Sequence, residues 1–127
     1  MGRYIDDARS FYQEAMREFH RGKREGNTTV IRDAAEKAWN AIVQATNELI
    51  DKRGMPPAST HAERRDRLIE LTRLDPEVRE LGIRDRFSAR ARHLHEECFY
   101  EGSCPVDLLE EEITEKVKAY IDDVERL

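Results

Sequence analysis

Apolar residues recur along this chain at intervals of three and four, the period of a helix face, and nowhere alternate with period two over the length of a strand. Tyr4, Ile5, Ala8, Phe11, Tyr12, Ala15 and Phe19 form the first stripe, predicting a helix from about Arg3 to Lys23. The segment Gly22 to Asn27 predicts a turn, because its two glycines and asparagine tolerate the left-handed conformation that ends helices. A broader stripe follows: Ile31, Ala34, Ala35, Ala38, Trp39, Ile42, Val43, Ala45, Leu49 and Ile50. It predicts the most buried helix, stopped at Gly54, with alanines that let a neighbour approach and Trp39 as the largest apolar contribution.

The adjacent prolines of GMPPAST, residues 54–60, exclude a helix there, since proline lacks the backbone donor and restricts its predecessor. Thr60 with Glu63 three residues on fits a capping box that opens a third helix through Leu68, Ile69, Leu71 and Leu74. This short helix is expected to lie across the end of the bundle. Asp75 and Pro76 read as N-cap and first-turn proline of a fourth helix, which carries Phe87, Ala91, Leu94 and Cys98 inward and which Gly82 kinks or interrupts. Gly102 ends it. Pro105 opens the last helix, with Val106, Leu109, Ile113, Val117, Tyr120, Ile121 and Val124 as its stripe. Four to five helices on mostly short loops predict an all-α, antiparallel up-and-down bundle, a single domain over residues 1–127.

Charged residues make up 39% of the chain, yet the net charge is only -5, so both signs are interspersed as on solvated helix faces. No run approaches the length of a membrane span, and MGRYIDDARSFYQEA carries charges where a signal peptide needs an apolar stretch, so no membrane partner and a cytoplasmic location are expected. Cys98 and Cys104 would close only a short loop and are expected as free thiols. Overall acidity argues against non-specific coating of nucleic acid. Residues 52–92 nevertheless hold 11 basic against 7 acidic side chains, either a local phosphate-facing patch or ordinary ion pairs at helical spacing.

The histidines are His20, His61, His93 and His95. No Glu stands three residues before any of them, which disfavours a di-iron bundle site, and His93 and His95 project to opposite sides of a helix. His95 shares a face with Cys98, but no Cys-x-x-Cys accompanies it, so no metal and no cofactor are expected. There is no glycine-rich phosphate loop. Glu110, Glu111 and Glu112 read as a solvated helix start that complements the macrodipole.

What remains is RDRFSARARHLHEECFYEG, residues 84–102, where arginines, two histidines, carboxylates and a Phe-Tyr pair crowd one helix. Leu94-His95, then three residues, then Phe99-Tyr100-Glu101 resembles the penultimate helix of HEPN domains, in particular the archaeal PaREP-type branch. Ala34-Ala35-Glu36-Lys37-Ala38-Trp39-Asn40-Ala41, the helix end at Lys52-Arg53-Gly54 and the entry Thr60-His61 extend the likeness over roughly residues 4–124.

The resemblance implies a helical bundle that commonly dimerises and, in catalytic members, a metal-independent ribonuclease motif of Arg, four to six residues, then His. Arg90 and His95 match it as the preferred catalytic pair, with Arg86 and His93 as the alternative; Arg86, Arg92, His61 and Tyr100 stand as ligand contacts. An imidazole can move the proton of a ribose 2'-hydroxyl while a guanidinium holds the phosphate. The expected function is a HEPN-like binding module, homodimeric, associated with RNA, a nucleotide or a nucleotidyltransferase-type antitoxin partner. A toxin- or defence-type endoribonuclease using Arg90 and His95 is one alternative, and a structural dimeric assembly protein is another.

Overall fold

The computed structural model describes residues 2–127, all helix and connecting turns, with no strand among them. Helix α1 spans Arg3–Glu25, α2 Thr28–Lys52, α3 His61–Leu74 and α4 Pro76–Glu80. Helix α5 covers residues 83–100, its first part Ile83–Arg90 running directly into Ala91–Tyr100. Helix α6 covers residues 106–126 through Val106–Glu111, Glu112–Val117 and Lys118–Arg126. Ala91–Tyr100 and Glu112–Val117 are wound as π-helix, the wider turn whose N–H groups bond five residues back.

Among the described residues there are thus six helices where the pattern predicts four to five, because Gly82, at φ 64°, separates α4 from α5. Helix α1 also runs two residues further than its stripe predicts. Gly22 does not end it but stays helical and lies against α2, where an added Cβ would stand 2.8 Å from the Ile31 side chain. Gly26 takes over as the left-handed cap, and the Asn27 side chain accepts from Val30 N to start α2. Thr60 and Asp75 cap α3 and α4 through their side chains as expected.

Side-chain bridges define the directions of the long helices. Lys23 near the end of α1 meets Glu110 at the start of α6, and Arg9 near the start of α1 meets Asp122 and Glu125 near the end of α6. Arg32 at the start of α2 bonds the carbonyls of Phe99 and Tyr100 at the end of α5, while Arg86 of α5 reaches Asp123 of α6. Helices α1, α2, α5 and α6 therefore alternate up and down, with α2 packed on all the others of that set. Helix α3 does not cross the bundle's end. His61 at its start lies against Trp39, Arg64 bonds Asn47, and Asp75 at its end bonds Arg53, so α3 runs alongside α2 in the same direction.

The predicted stripes of α2 and α6 meet in one core around Trp39, Phe19, Phe87 and Tyr120, all fully buried. Thr46 gives its hydroxyl hydrogen to the Ile42 carbonyl, so the buried Tyr120 hydroxyl donates to Thr46 Oγ1 at 2.7 Å. Burial pushes the Tyr120 phenol up and keeps it neutral. Outside the core, Ile69 and Leu74 of α3 face solvent.

Two further expectations are overturned. Glu112 is not part of a solvated helix start: it is 0% exposed and takes a bidentate bond from Arg90, Nε to Oε1 at 2.7 Å and Nη2 to Oε2 at 3.1 Å. The π turn at Glu112 brings that carboxylate against α5, on the inner side of the helix. Cys98 and Cys104 are not free thiols but a disulfide, since the reversal after α5 returns their Cα atoms to within 4.6 Å. Without reductant, a maleimide should label neither cysteine, and after reduction it should label both, as read by intact mass. Glu112→Gln leaves Arg90 charged and buried, and is expected to cost about 3–5 kcal/mol in urea unfolding. Arg90→Met with Glu112→Leu should recover most of that loss.

Candidate functional site

The face between α2, α3 and the π-helical half of α5 gathers aromatic rings. Trp39 of α2 forms its floor, stacked under the His95 ring at 5.6 Å between centroids and edge-on to His61 at 5.2 Å. The two imidazoles are 5.5 Å apart. Tyr100 packs its edge on His95 at 4.9 Å and Phe99 lies beyond, so one ring follows another from the core to the surface, where Tyr100 is 68% exposed. Trp39 Nε1 finds no acceptor among the described residues, a buried donor left open at the base of this cluster.

Each imidazole is held by its inner nitrogen. His95, with 19% of its side chain exposed, contacts Glu36 Oε1 through Nδ1 at 2.9 Å. His61 Nδ1 lies 3.0 Å from Arg64 Nη1, and Arg64 in turn donates through Nε to Asn47 Oδ1 at 2.9 Å. Burial first, then the positive charge of Arg64, then His95 and Arg65, hold the His61 imidazole below its usual pKa. Arg65 is exposed and has no bonded partner among the described residues.

The sequence-predicted residues divide between two flanks of α5. His61, His95 and Tyr100 come together on the α2–α3 side. Arg90 turns to the other flank, where Glu112 engages it, so it does not converge with His95 within one chain. The alternative pair does not converge either. Arg86 bonds the Leu81 carbonyl and Asp123 and lies over the Tyr120 ring, whereas His93 shares Glu97 with Arg92 at the surface.

Sequence reasoning did not single out Glu36, Trp39 or Arg64 as site residues. Each is set by a contact across helices, for which spacing along one helix gives no signal. The end of α5 that carries Phe99 and Tyr100 is also fixed twice, by the Cys98–Cys104 bond and by Arg32 on its last carbonyls. Among the described residues, no group of three or more His, Cys, Asp and Glu side chains is placed to hold a metal ion.

An NMR pH titration should find the His61 midpoint below 6.5, and Arg64→Gln should raise it by removing the nearest positive charge. Because the folded value lies below the unfolded one, the stabilisation from this neutral imidazole is complete above about pH 6.5 and is lost as pH falls through the folded value. The pH dependence of Tm between pH 7 and 5 should therefore be shallower in His61→Gln than in the wild type.

No curated protein and no solved structure gives a significant match to the chain. A family does match, over nearly its whole length: residues 3–123 fit the archaeal PaREP1/PaREP8 family. The composite of small-residue second helix, Thr60-His61 entry and Leu94-His95 helix is carried on that matched span, and the chain belongs to the archaeal PaREP1/PaREP8 family.

Proposed function

We propose that this chain is a HEPN-like binding module whose ligand is single-stranded RNA, held on the face formed by His61, His95 and Tyr100. The observation that carries the reading is the exposed Tyr100 ring edge-packed on His95, with Arg65, which acts on His61 and has no bonded partner among the described residues, on the same helix as His61. An unstacked base has an apolar face to lay on such a ring, and its phosphate seeks a free cation, so aromatic and arginine side chains together suit a single strand. Homodimerisation and a nucleotidyltransferase-type antitoxin partner belong to the same reading.

A second reading, metal-independent RNA cleavage, is favoured by one observation: the His95 imidazole is braced by a carboxylate on its inner nitrogen. Its Arg90–His95 form has no support within a single chain, because Arg90 is committed to Glu112.

Fluorescence anisotropy with a labelled single-stranded RNA tests the binding reading. Tyr100→Ala should weaken the complex by about 1–3 kcal/mol, the worth of one base stack. Arg65→Ala should lower the salt slope by about one phosphate contact. An RNA affinity that neither substitution changes would exclude this face.

A further inference from the structure

The chain's two cysteines are joined where α5 ends, and the bond is placed asymmetrically. Cys98 is 0% exposed and belongs to the same apolar core as Trp39 and Leu94. Cys104 is half-buried on the reversal, between exposed Ser103 and Pro105. One sulfur is thus fixed by the core, while its partner sits on a surface turn, where a thiolate from solvent can reach it without unfolding the bundle. With a sequence separation of only 6, the bond restrains the unfolded chain less than a long crosslink does and acts chiefly on the turn itself.

This turn carries the outer end of the ring series. Phe99 and Tyr100 follow Cys98 directly, and their ring centroids lie 6.4 and 4.9 Å from that of His95. The other tie on them is Arg32, which donates through Nε to the Phe99 carbonyl at 3.1 Å and through Nη2 to the Tyr100 carbonyl at 3.2 Å. Hydrogen bonds to carbonyls at the surface exchange readily for water, so Arg32 holds this end only while the turn keeps its acceptors in place. A groove of about 240 Å³, bounded by Thr29, Arg32 and Asp33, leaves space beside the two rings.

We propose that the Cys98–Cys104 bond is a redox latch on the end of α5: closed, it seats Phe99 and Tyr100 against His95; opened by a dithiol, it lets residues 99–104 swing away and frees Arg32. A thiolate of the dithiol attacks Cys104 Sγ, the Sγ–Sγ bond breaks, and its electron pair leaves on Cys98 Sγ, which takes a proton. The second thiol of the reductant then gives up its proton and attacks its own sulfur in the mixed disulfide, releasing Cys104, which is protonated in turn. Two electrons and two protons pass from the dithiol to the protein. The bundle outlasts the opening. The Cys98 thiol is a small apolar group that keeps its place in the core, and α5 stays tied through Arg86, Arg90 and His95, all before the turn. Reclosure by a disulfide oxidant is favoured because the core holds Cys98 and only a short loop has to close. The latch is independent of which ligand the face takes.

The test compares the full chain as oxidised, after dithiothreitol, and after re-oxidation with oxidised glutathione, together with Cys104→Ser, by NMR hydrogen exchange and circular dichroism. Reduction should speed exchange at the amides of residues 99–104 by roughly 10–100-fold while leaving those of α2 unchanged. The nuclear Overhauser contact between the Tyr100 and His95 rings should disappear with it, and re-oxidation should restore both. Cys104→Ser, its helices intact by circular dichroism, should match the reduced protein with or without dithiothreitol. In native buffer, the rate of reduction should keep rising with dithiothreitol concentration. Equal exchange at residues 99–104 in the two states, or a Tyr100–His95 contact that survives reduction, overturns the latch. So does a reduction rate that levels off at the rate of global unfolding measured in urea, which would make the bond a staple of the core.

Discussion

The bidentate contact of Arg90 with Glu112 organises the half of the molecule that carries the candidate site. Two ionised groups this deeply buried lose their hydration, and only close, doubly bonded geometry offsets that loss. The pair therefore admits little freedom in how α5 and α6 meet. Both π-helical stretches begin at it, since Ala91 follows Arg90 and Glu112 opens the second. With the α6 flank of α5 committed in this way, His95 five residues on reaches the opposite neighbour, α2, and meets Glu36 and Trp39.

The candidate site is accordingly an arrangement of rings rather than a cavity in the bundle. Trp39 supplies rigid area, the imidazoles supply polarity, and Tyr100 carries the series to solvent. Away from bulk water, the hydrogen bond on the inner nitrogen of each imidazole determines what its outer nitrogen offers. A carboxylate and a guanidinium as respective partners produce opposite offers on two rings whose centroids are 5.5 Å apart. The disulfide and Arg32 keep the end of α5 from fraying, so the rings of Phe99 and Tyr100 hold their places.

Much of the architecture could be read from periodicity alone. The stripes Ile31 to Ile50 and Leu109 to Val124 emerge as the core, and Thr60 and Asp75 cap the helices that follow them. These features are local: burial of a helix face and satisfaction of its first N–H groups depend on residues a turn or less away. Where the reading erred, a long-range contact prevailed. Gly22 carries the signal of a stop but serves close packing with Ile31, and α3 lies along α2 because Trp39, Asn47 and Arg53 each hold a point on its length.

The same division governs the chemistry. The resemblance carried by the Thr60-His61 entry and by Leu94-His95 through Phe99-Tyr100-Glu101 was enough to select His61, His95 and Tyr100 as candidates. Nothing in the chain's order could pair Glu36 with His95 across 59 positions, or take Arg90 away from it to Glu112, 22 positions on. Those choices belong to the packing of α5 between α2 and α6. Charged and polar groups in a core settle on whichever opposite partner the helices bring within hydrogen-bond distance, and that is a property of the assembled bundle.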